Sequence, residues 1–119
     1  MTERMRRVNE AIRAVISEAV PALKDPRIGF VTVTGVVTTT DLEHATVYVS
    51  VLGSEKKLRA TLQVLQAAHG VLQARIGREL RLRRTPQLTF AYDPTVERGM
   101  RLTKLIDEVA PRDDEPDPS

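Results

Sequence analysis

The first twenty residues carry apolar side chains at intervals of three and four positions, which is the spacing of one face of an α-helix. This row consists of Val8, Ala11, Ile12, Val15, Ile16 and Ala19. It predicts an amphipathic helix from Glu3 to about Val20. Pro21 should end or kink this helix, because an interior proline lacks the amide donor and costs about 3 kcal/mol. A turn is predicted next, from Lys24 to Arg27.

Two stretches with the composition of β-strands follow. Residues 28–39 are rich in valine and threonine, and Gly35 marks a predicted bulge in their middle. Residues 45–51 alternate strictly between apolar and polar positions, which is the period of a strand with one buried face. The predicted core face is Ala45, Val47, Val49 and Val51, and the other face is Thr46, Tyr48 and Ser50. Together the two strands predict an antiparallel hairpin.

The helical period returns after Ser54, a residue type that caps helix N-termini well. One apolar stripe consists of Leu58, Leu62, Leu65 and Ala68, and a second of Val71, Leu72, Ile76 and Leu80. Gly70 shifts the phase between them. The pattern therefore predicts either two helices that meet at Ala68, His69 and Gly70, or one helix that is kinked there.

A third strand is predicted at residues 87–92, which alternate again after Pro86. Asp93 and Pro94 form a helix start signal, and the apolar residues that follow at helical spacing are Val96, Met100, Leu102, Leu105 and Ile106. The predicted order is helix, strand, strand, helix, helix, strand and an appended helix. Such an order predicts a single α+β domain, residues 1–109, with its helices packed on one face of a small sheet. Residues 110–119 should form a disordered acidic tail.

Composition narrows the class of protein. A chain of 119 residues suits one domain with one core. Its cysteine count is 0, which excludes disulfides and thiolate chemistry. The N-terminus has no apolar stretch typical of a secretory signal, and no segment approaches the roughly 20 apolar residues of a membrane span. We therefore expect a cytoplasmic protein that does not enter a membrane.

The charge is unevenly distributed along the chain. The net charge is only +2, but four acids lie in the last ten residues, at Asp113, Asp114, Glu115 and Asp117. Without this tail the remaining body is more strongly basic. A basic body indicates a polyanionic partner, with the tail either solvating the chain or competing for the basic surface.

Catalytic motifs are missing from the sequence. His44 and His69 have no second histidine at metal-ligand spacing, and neither a phosphate-binding loop nor a nucleophile elbow is present. We expect no metal, no cofactor and no catalysis. One enzymatic alternative stays open, in which clustered arginines converge on a pocket for a compact dianion.

Residues 75–84 form the strongest local signal, because five arginines stand there against the single acid Glu79. On a helix, Arg75, Arg78 and Arg81 would lie along one edge at i, i+3 and i+6. The predicted RNA-contacting residues of this stretch are Arg75, Arg78, Arg81, Arg83 and Arg84. A second basic group near the N-terminus consists of Arg4, Arg6 and Arg7. A continuous positive ridge of this kind favours contact with phosphates over the alternative that long cations simply cover the core stripe.

Two helices joined tightly beside a three-stranded sheet resemble the K-homology domain, but no two of the 6 glycines are three positions apart, so its Gly-x-x-Gly clamp is absent. Over residues 7 to about 106 the chain resembles the bacterial ribosome-binding factor A family. The segments that carry this resemblance are LKDPRIGFVTV at 23–33, DLEHATVYVSVLG at 41–53, LRLRRTPQLTF at 80–90, YD at 92–93 and ERGMR at 97–101.

The resemblance implies a type-II K-homology-like fold in the order α-β-β-α-α-β, in which an Ala-x-Gly helix kink, here Ala68, His69 and Gly70, replaces the clamp. It also implies a ribosome assembly factor that binds the small ribosomal subunit and its 16S rRNA during late maturation, with roles in rRNA processing and cold adaptation. We expect a monomer, and other assembly factors are further candidate partners. An adaptor that presents its basic ridge to an acidic protein is the remaining alternative.

Overall fold

Three helices and a three-stranded sheet make up residues 2–93, which are the residues that the structure, a computed structural model, describes. The elements are α1 (Glu3–Ala22), β1 (Phe30–Thr38), β2 (His44–Leu52), α2 (Glu55–Ala67), α3 (His69–Leu80) and β3 (Gln87–Tyr92). This order confirms the predicted α+β fold of the type-II K-homology kind. The predicted appended helix and acidic tail lie outside the described residues.

Helix α1 begins at its predicted position, where the Thr2 hydroxyl accepts the Met5 N–H at 3.1 Å. The predicted end of the helix at about Val20 was two residues too early, because α1 continues through Pro21 and ends at Ala22. Pro21 lies in the last turn, one residue before the helix ends, and its own carbonyl still accepts the Lys24 N–H at 3.3 Å. Lys24 then adopts a left-handed conformation, with φ of 52°, and the chain turns.

The sheet has the order β1-β2-β3, with β1 and β2 antiparallel and β2 and β3 parallel. The β1–β2 hairpin is confirmed, and so is the bulge: the pairing register shifts between Val33 and Gly35. Thr34 is the extra residue of the bulge, and its hydroxyl donates to the Tyr48 carbonyl at 3.2 Å. The bulge turns the apolar side chains of the rest of β1 towards the buried face of the sheet, so that Val36 is buried opposite Val47.

One face of the sheet is buried under the helices. The predicted core row of β2 is confirmed, since Ala45, Val47, Val49 and Val51 are all buried. The buried residues that meet this row from the helices and from β3 are Ile12, Ile16, Leu65, Leu72, Ile76, Leu88 and Phe90. Helix α1 packs on β1 and α3, whereas α2 packs on β2 and β3. Each fully buried aliphatic side chain contributes about 1.5–3 kcal/mol, so this row dominates the stability of the fold.

The turn between α1 and β1 is attached to α2 by polar contacts. The Asp25 carboxylate accepts the Arg27 backbone N–H at 2.8 Å and its guanidinium at 2.7 and 3.0 Å. The Gly29 N–H donates to the buried Thr61 hydroxyl at 2.9 Å. The Arg27 guanidinium and N–H lower the pKa of Asp25 to about 2. Asp25 is therefore ionised at neutral and mildly acidic pH in the folded turn.

We expect Asp25→Asn to lower the free energy of unfolding at neutral pH, because the amide cannot form the charged pair with Arg27. The pKa of Asp25 is lower in the folded chain than in the unfolded chain, where it is near 3.9. Its charge therefore stabilises the fold at pH values above about 3.9, and this stabilisation disappears as the pH falls towards 2. Chemical unfolding of both proteins from pH 7 to 2 should show the difference shrinking in that window. A difference that is independent of pH would mean that the carboxylate charge is unimportant.

Candidate nucleic-acid interface

The loop that carries most of the arginines leaves α3 earlier than predicted. Helix α3 ends at Leu80, and Arg81 adopts a left-handed conformation with φ of 50° and ψ of 40°. Its N–H donates to the Gly77 carbonyl at 3.2 Å, which closes the helix. The prediction that Arg81 continues the helical edge was therefore wrong. The reversal at Arg81 is needed because β3 has to return alongside β2.

Two of the five predicted arginines are held in ion pairs. Arg75 donates to Glu79 at 3.1 Å and lies 3.4 Å from Glu18 of α1, and its side chain is only 29% exposed. It therefore ties α3 to α1. Arg84 binds Glu43 at 2.6 Å, but its side chain stays 72% exposed. The continuous ridge predicted from the sequence is thus interrupted at both ends.

The three remaining arginines, Arg78, Arg81 and Arg83, are exposed and have no acidic partner within residues 2–93. We call these three the α3-end cluster. Arg78 lies in the last helical turn, where a cation also stabilises the negative end of the helix dipole. That role needs one cation, and the cluster has three. Their excess charge is available to an anionic partner.

The turn between β1 and β2 positions Glu43, the ion-pair partner of Arg84. The Asp41 carboxylate accepts the Thr39 hydroxyl at 2.6 Å and the Glu43 N–H at 2.9 Å. These hydrogen bonds lower the pKa of Asp41. The Glu43 carbonyl in turn accepts the Gln87 N–H at 2.8 Å, which joins the turn to the start of β3. The loop of residues 81–86 is therefore fixed at this end of the sheet.

The first turns of α1 reach the same end of the sheet. Asn9 accepts the Thr38 hydroxyl at 2.8 Å in a buried contact, and Thr38 is the last residue of β1. Of the predicted N-terminal arginines, Arg6 binds Glu3 at 2.6 Å and Glu10 at 2.9 Å, and Arg7 lies 3.4 Å from Glu3. Arg4 is exposed and has no acidic partner in the described part of the chain. The second basic group therefore lies in the turns of α1 that precede Asn9, the residue that contacts the end of β1.

The predicted junction at Ala68, His69 and Gly70 is confirmed as two helices. Ala68 lies between them with φ of −88° and ψ of 7°, and its N–H still donates to the Val64 carbonyl at 3.0 Å. His69 and Gly70 are the first two residues of α3. His69 Nδ1 lies 3.1 Å from the Gln73 side-chain oxygen, and Gly70 is exposed.

Two glutamines bind the junction to the free edge of β3. The Gln66 amide donates to the Leu88 carbonyl at 3.2 Å and accepts the Phe90 N–H at 3.0 Å, and Gln73 accepts the Leu88 N–H at 3.1 Å. Neither glutamine was predicted from the sequence, where their one signal is their position on either side of the junction. Because these side chains occupy the strand edge, β3 cannot pair there with another extended chain.

Neither of two surface cavities involves the arginines of residues 75–84. One cavity, of about 190 Å³, is lined by Arg6, Asn9, Glu10, Arg13, Gly35 and Val36. Another, of about 330 Å³, lies between the end of α1 and the start of β1. Within residues 2–93, no group of metal-ligating side chains is able to hold an ion, and no helix is long and apolar enough to cross a membrane.

Comparison with known proteins gives consistent matches. The family model described as Ribosome-binding factor A matches residues 4–106. A Ribosome-binding factor A of Halorhodospira halophila is 46% identical over 117 residues, covering 95% of this chain and 93% of that protein. The protein of the same name from Geotalea uraniireducens is 44% identical over 111 residues, covering 92% of this chain and 91% of the relative.

Solved structures agree with the sequence matches. The crystal structure of ribosome-binding factor A from Thermus thermophilus is 30% identical with a TM-score of 0.68, and the match covers 74% of this chain and 94% of that one. A homology model of the Thermus thermophilus protein, fitted into a cryo-EM map of a complex with the 30S subunit, is 32% identical with a TM-score of 0.59. That match covers 68% of this chain and 86% of the other.

The two glycines of α3 make a matched pair of tests. A Cβ at Gly77 would lie 2.9 Å from the Thr85 hydroxyl, whereas a Cβ at Gly70 would meet nothing within 4 Å. We expect Gly70→Ala to raise the free energy of unfolding by about 0.5–1 kcal/mol. Gly77→Ala should lower it by about 1 kcal/mol, because the strain of overpacking exceeds the helical gain.

Urea unfolding of the two variants measures this difference directly. Combining Gly77→Ala with Thr85→Ala should restore part of the loss, since it removes the clashing oxygen. Equal stability of the two single variants would show that the loop of residues 81–86 does not pack against α3 at Gly77.

Proposed function

The chain belongs to the ribosome-binding factor A family, and from that premise we propose that it binds the small ribosomal subunit and contacts its 16S rRNA during late maturation. The observation that carries the proposal is the match over nearly the whole chain to relatives of that name, at 44–46% identity for two of them. The related Thermus thermophilus protein fitted into a map of its complex with the 30S subunit supports it further.

The α3-end cluster supplies the phosphate contacts in this proposal. Arginine presents a planar fork of donors that matches phosphate oxygens, and contacts to phosphates position a protein on a nucleic acid. Arg84 extends the cluster, because its exposed pair with Glu43 contributes little stability and can exchange for a phosphate. Arg4 adds a cation from α1, with Arg6 and Arg7 beside it. Arg75 contributes mainly to the packing of α3 on α1.

Recognition in this proposal rests on the shape of folded RNA. The chain lacks the Gly-x-x-Gly clamp that grips a single-stranded backbone, and the outer edge of β3 is occupied by Gln66 and Gln73. Exposed arginines on a rigid loop are suited instead to phosphates that a folded RNA holds at fixed positions. The protein would thus distinguish one arrangement of the RNA from another.

The proposed activity is only a difference between the affinities for immature and for mature small subunits. A protein that binds immature subunits more tightly than mature ones stabilises the immature arrangement and leaves when maturation is complete, without making or breaking a bond. The proposal includes a role in rRNA processing and in growth in the cold, where non-native RNA pairings dissociate more slowly. It places the protein in the cytoplasm as a monomer, with other assembly factors as further partners.

Co-sedimentation with purified immature and mature small subunits tests the proposal. We expect at least tenfold tighter binding to immature subunits, which corresponds to about 1.4 kcal/mol. Affinity should fall steeply between 50 and 200 mM salt, as it does when cations release counterions from RNA. Equal affinity for both subunits would contradict the maturation role, and no binding to either would contradict the function itself.

Replacing Arg78, Arg81 and Arg83 by glutamine tests the site. Each lost phosphate contact should reduce the slope of log affinity against log salt by about 0.7–0.9. The matched control is Arg59→Gln, because Arg59 is an exposed arginine of α2 that lies 3.6 Å from Glu55. The control should bind like the unmodified protein. If the triple variant keeps both affinity and slope, the α3-end cluster is not the RNA contact.

A further inference from the structure

Two large apolar side chains are exposed together at the open end of the β1–β2 hairpin. Phe30, the first residue of β1, is 75% exposed, and its cross-strand partner Leu52 is 67% exposed. Directly paired residues of an antiparallel ladder project from the same face, so the two side chains are neighbours. The two side chains therefore form a small apolar patch on the surface, and its meaning depends on the groups beside it.

Three lysines lie in the segments that precede β1 and follow β2, the two strands that carry this pair. Lys24 and Lys56 are exposed and have no acidic partner within residues 2–93. Lys57 donates to the Pro26 carbonyl at 3.3 Å and also interacts electrostatically with the Asp25 carboxylate. The acids next to these lysines along the chain already have partners: Asp25 binds Arg27 at 2.7 Å, and Glu55 lies 3.6 Å from Arg59.

A concave surface adjoins Phe30. The cavity of about 330 Å³ between the end of α1 and the start of β1 has both Lys24 and Phe30 in its lining. The cavity therefore places Phe30, Lys24 and the Asp25 carboxylate in one lining, where Asp25 is already paired with Arg27. Aromatic platforms flanked by cations are the usual device for binding unpaired nucleotides, since the ring stacks on a base while the cation meets a phosphate.

We propose that this surface, the Phe30 patch (Phe30, Leu52, Lys24, Lys56 and Lys57), is a second RNA contact that stacks one unpaired base on the Phe30 ring. The inference rests on the proposed function, because the RNA is that of the small subunit. An unpaired base is required, since a base inside a helix has no free face to offer.

The two contacts lie at opposite ends of the sheet. Strand β1 runs from Phe30 at the patch to Thr38, which contacts α1 near the β1–β2 turn. At about 3.3 Å per residue, its nine residues separate the two ends by about 25 Å. Binding at both ends fixes the orientation of the protein on the RNA, which one cluster of phosphate contacts does not do alone.

Phe30→Ala and Phe30→Leu test the stacking role in the full chain bound to immature small subunits. Base stacking on an aromatic ring contributes about 1–3 kcal/mol, so Phe30→Ala should weaken binding by about 5- to 150-fold. Phe30→Leu should lose nearly as much, because leucine has no aromatic face. Val37→Ala is the matched control: Val37 is a 52%-exposed apolar residue of the same strand, and this variant should bind normally.

Ultraviolet crosslinking identifies what occupies the patch. Irradiation of the wild-type complex should yield an RNA adduct on the peptide that contains Phe30, and thermal melts should show unchanged folding of every variant. Normal binding by either Phe30→Ala or Phe30→Leu would overturn the inference. Crosslinks from the Phe30 patch to protein alone, with none to RNA, would overturn it as well. In those cases the proposed function stands if the α3-end variants still bind weakly. Failure of the wild-type chain to bind subunits would remove both proposals.

Discussion

The valines of β2 have to be removed from water, and the rest of the molecule is arranged around that requirement. Because side chains alternate along a strand, Val47 and Val49 project from one face of the sheet only, and both are completely buried. All three described helices pack on that face. To cover β2 and β3 together the helical chain is divided at Ala68, and the charged side chains lie on the exposed faces of the helices and in the loops at the two ends of the sheet.

Sequence alone predicts the features that depend on local periodicity. Alternation along β2 was enough to identify its buried face, and Gly35 and Ser54 were correctly assigned to a bulge and a cap because each role depends on nearby backbone geometry. The end of α3 was missed for a tertiary reason. Leu80 and Arg81 continue a helical pattern, and only the need to return β3 alongside β2 forces Arg81 into a left-handed turn.

The candidate site was predicted only in part, because its charges depend on distant residues. Arg75 meets Glu18, 57 positions earlier in the chain, and Arg84 meets Glu43, 41 positions earlier. No local sequence pattern predicts such pairs. The predicted ridge therefore becomes a smaller cluster at the end of α3 and on the loop that follows, which packs against Gly77 and is joined to the β1–β2 turn. Such a loop suits RNA recognition by position, where affinity depends on whether the phosphates are in place.

The central claim is that the loop of residues 81–86 faces the RNA of the small subunit. Since the chain contains 0 cysteines, a single cysteine offers a unique attachment site for an iron chelate that cleaves nearby RNA. Gln87→Cys places it at the exposed start of β3, and Ser17→Cys at the exposed side of α1. The account predicts localised cleavage of 16S rRNA from position 87 and much weaker cleavage from position 17. Cleavage from position 17 alone, or none from position 87 in a bound complex, would contradict it.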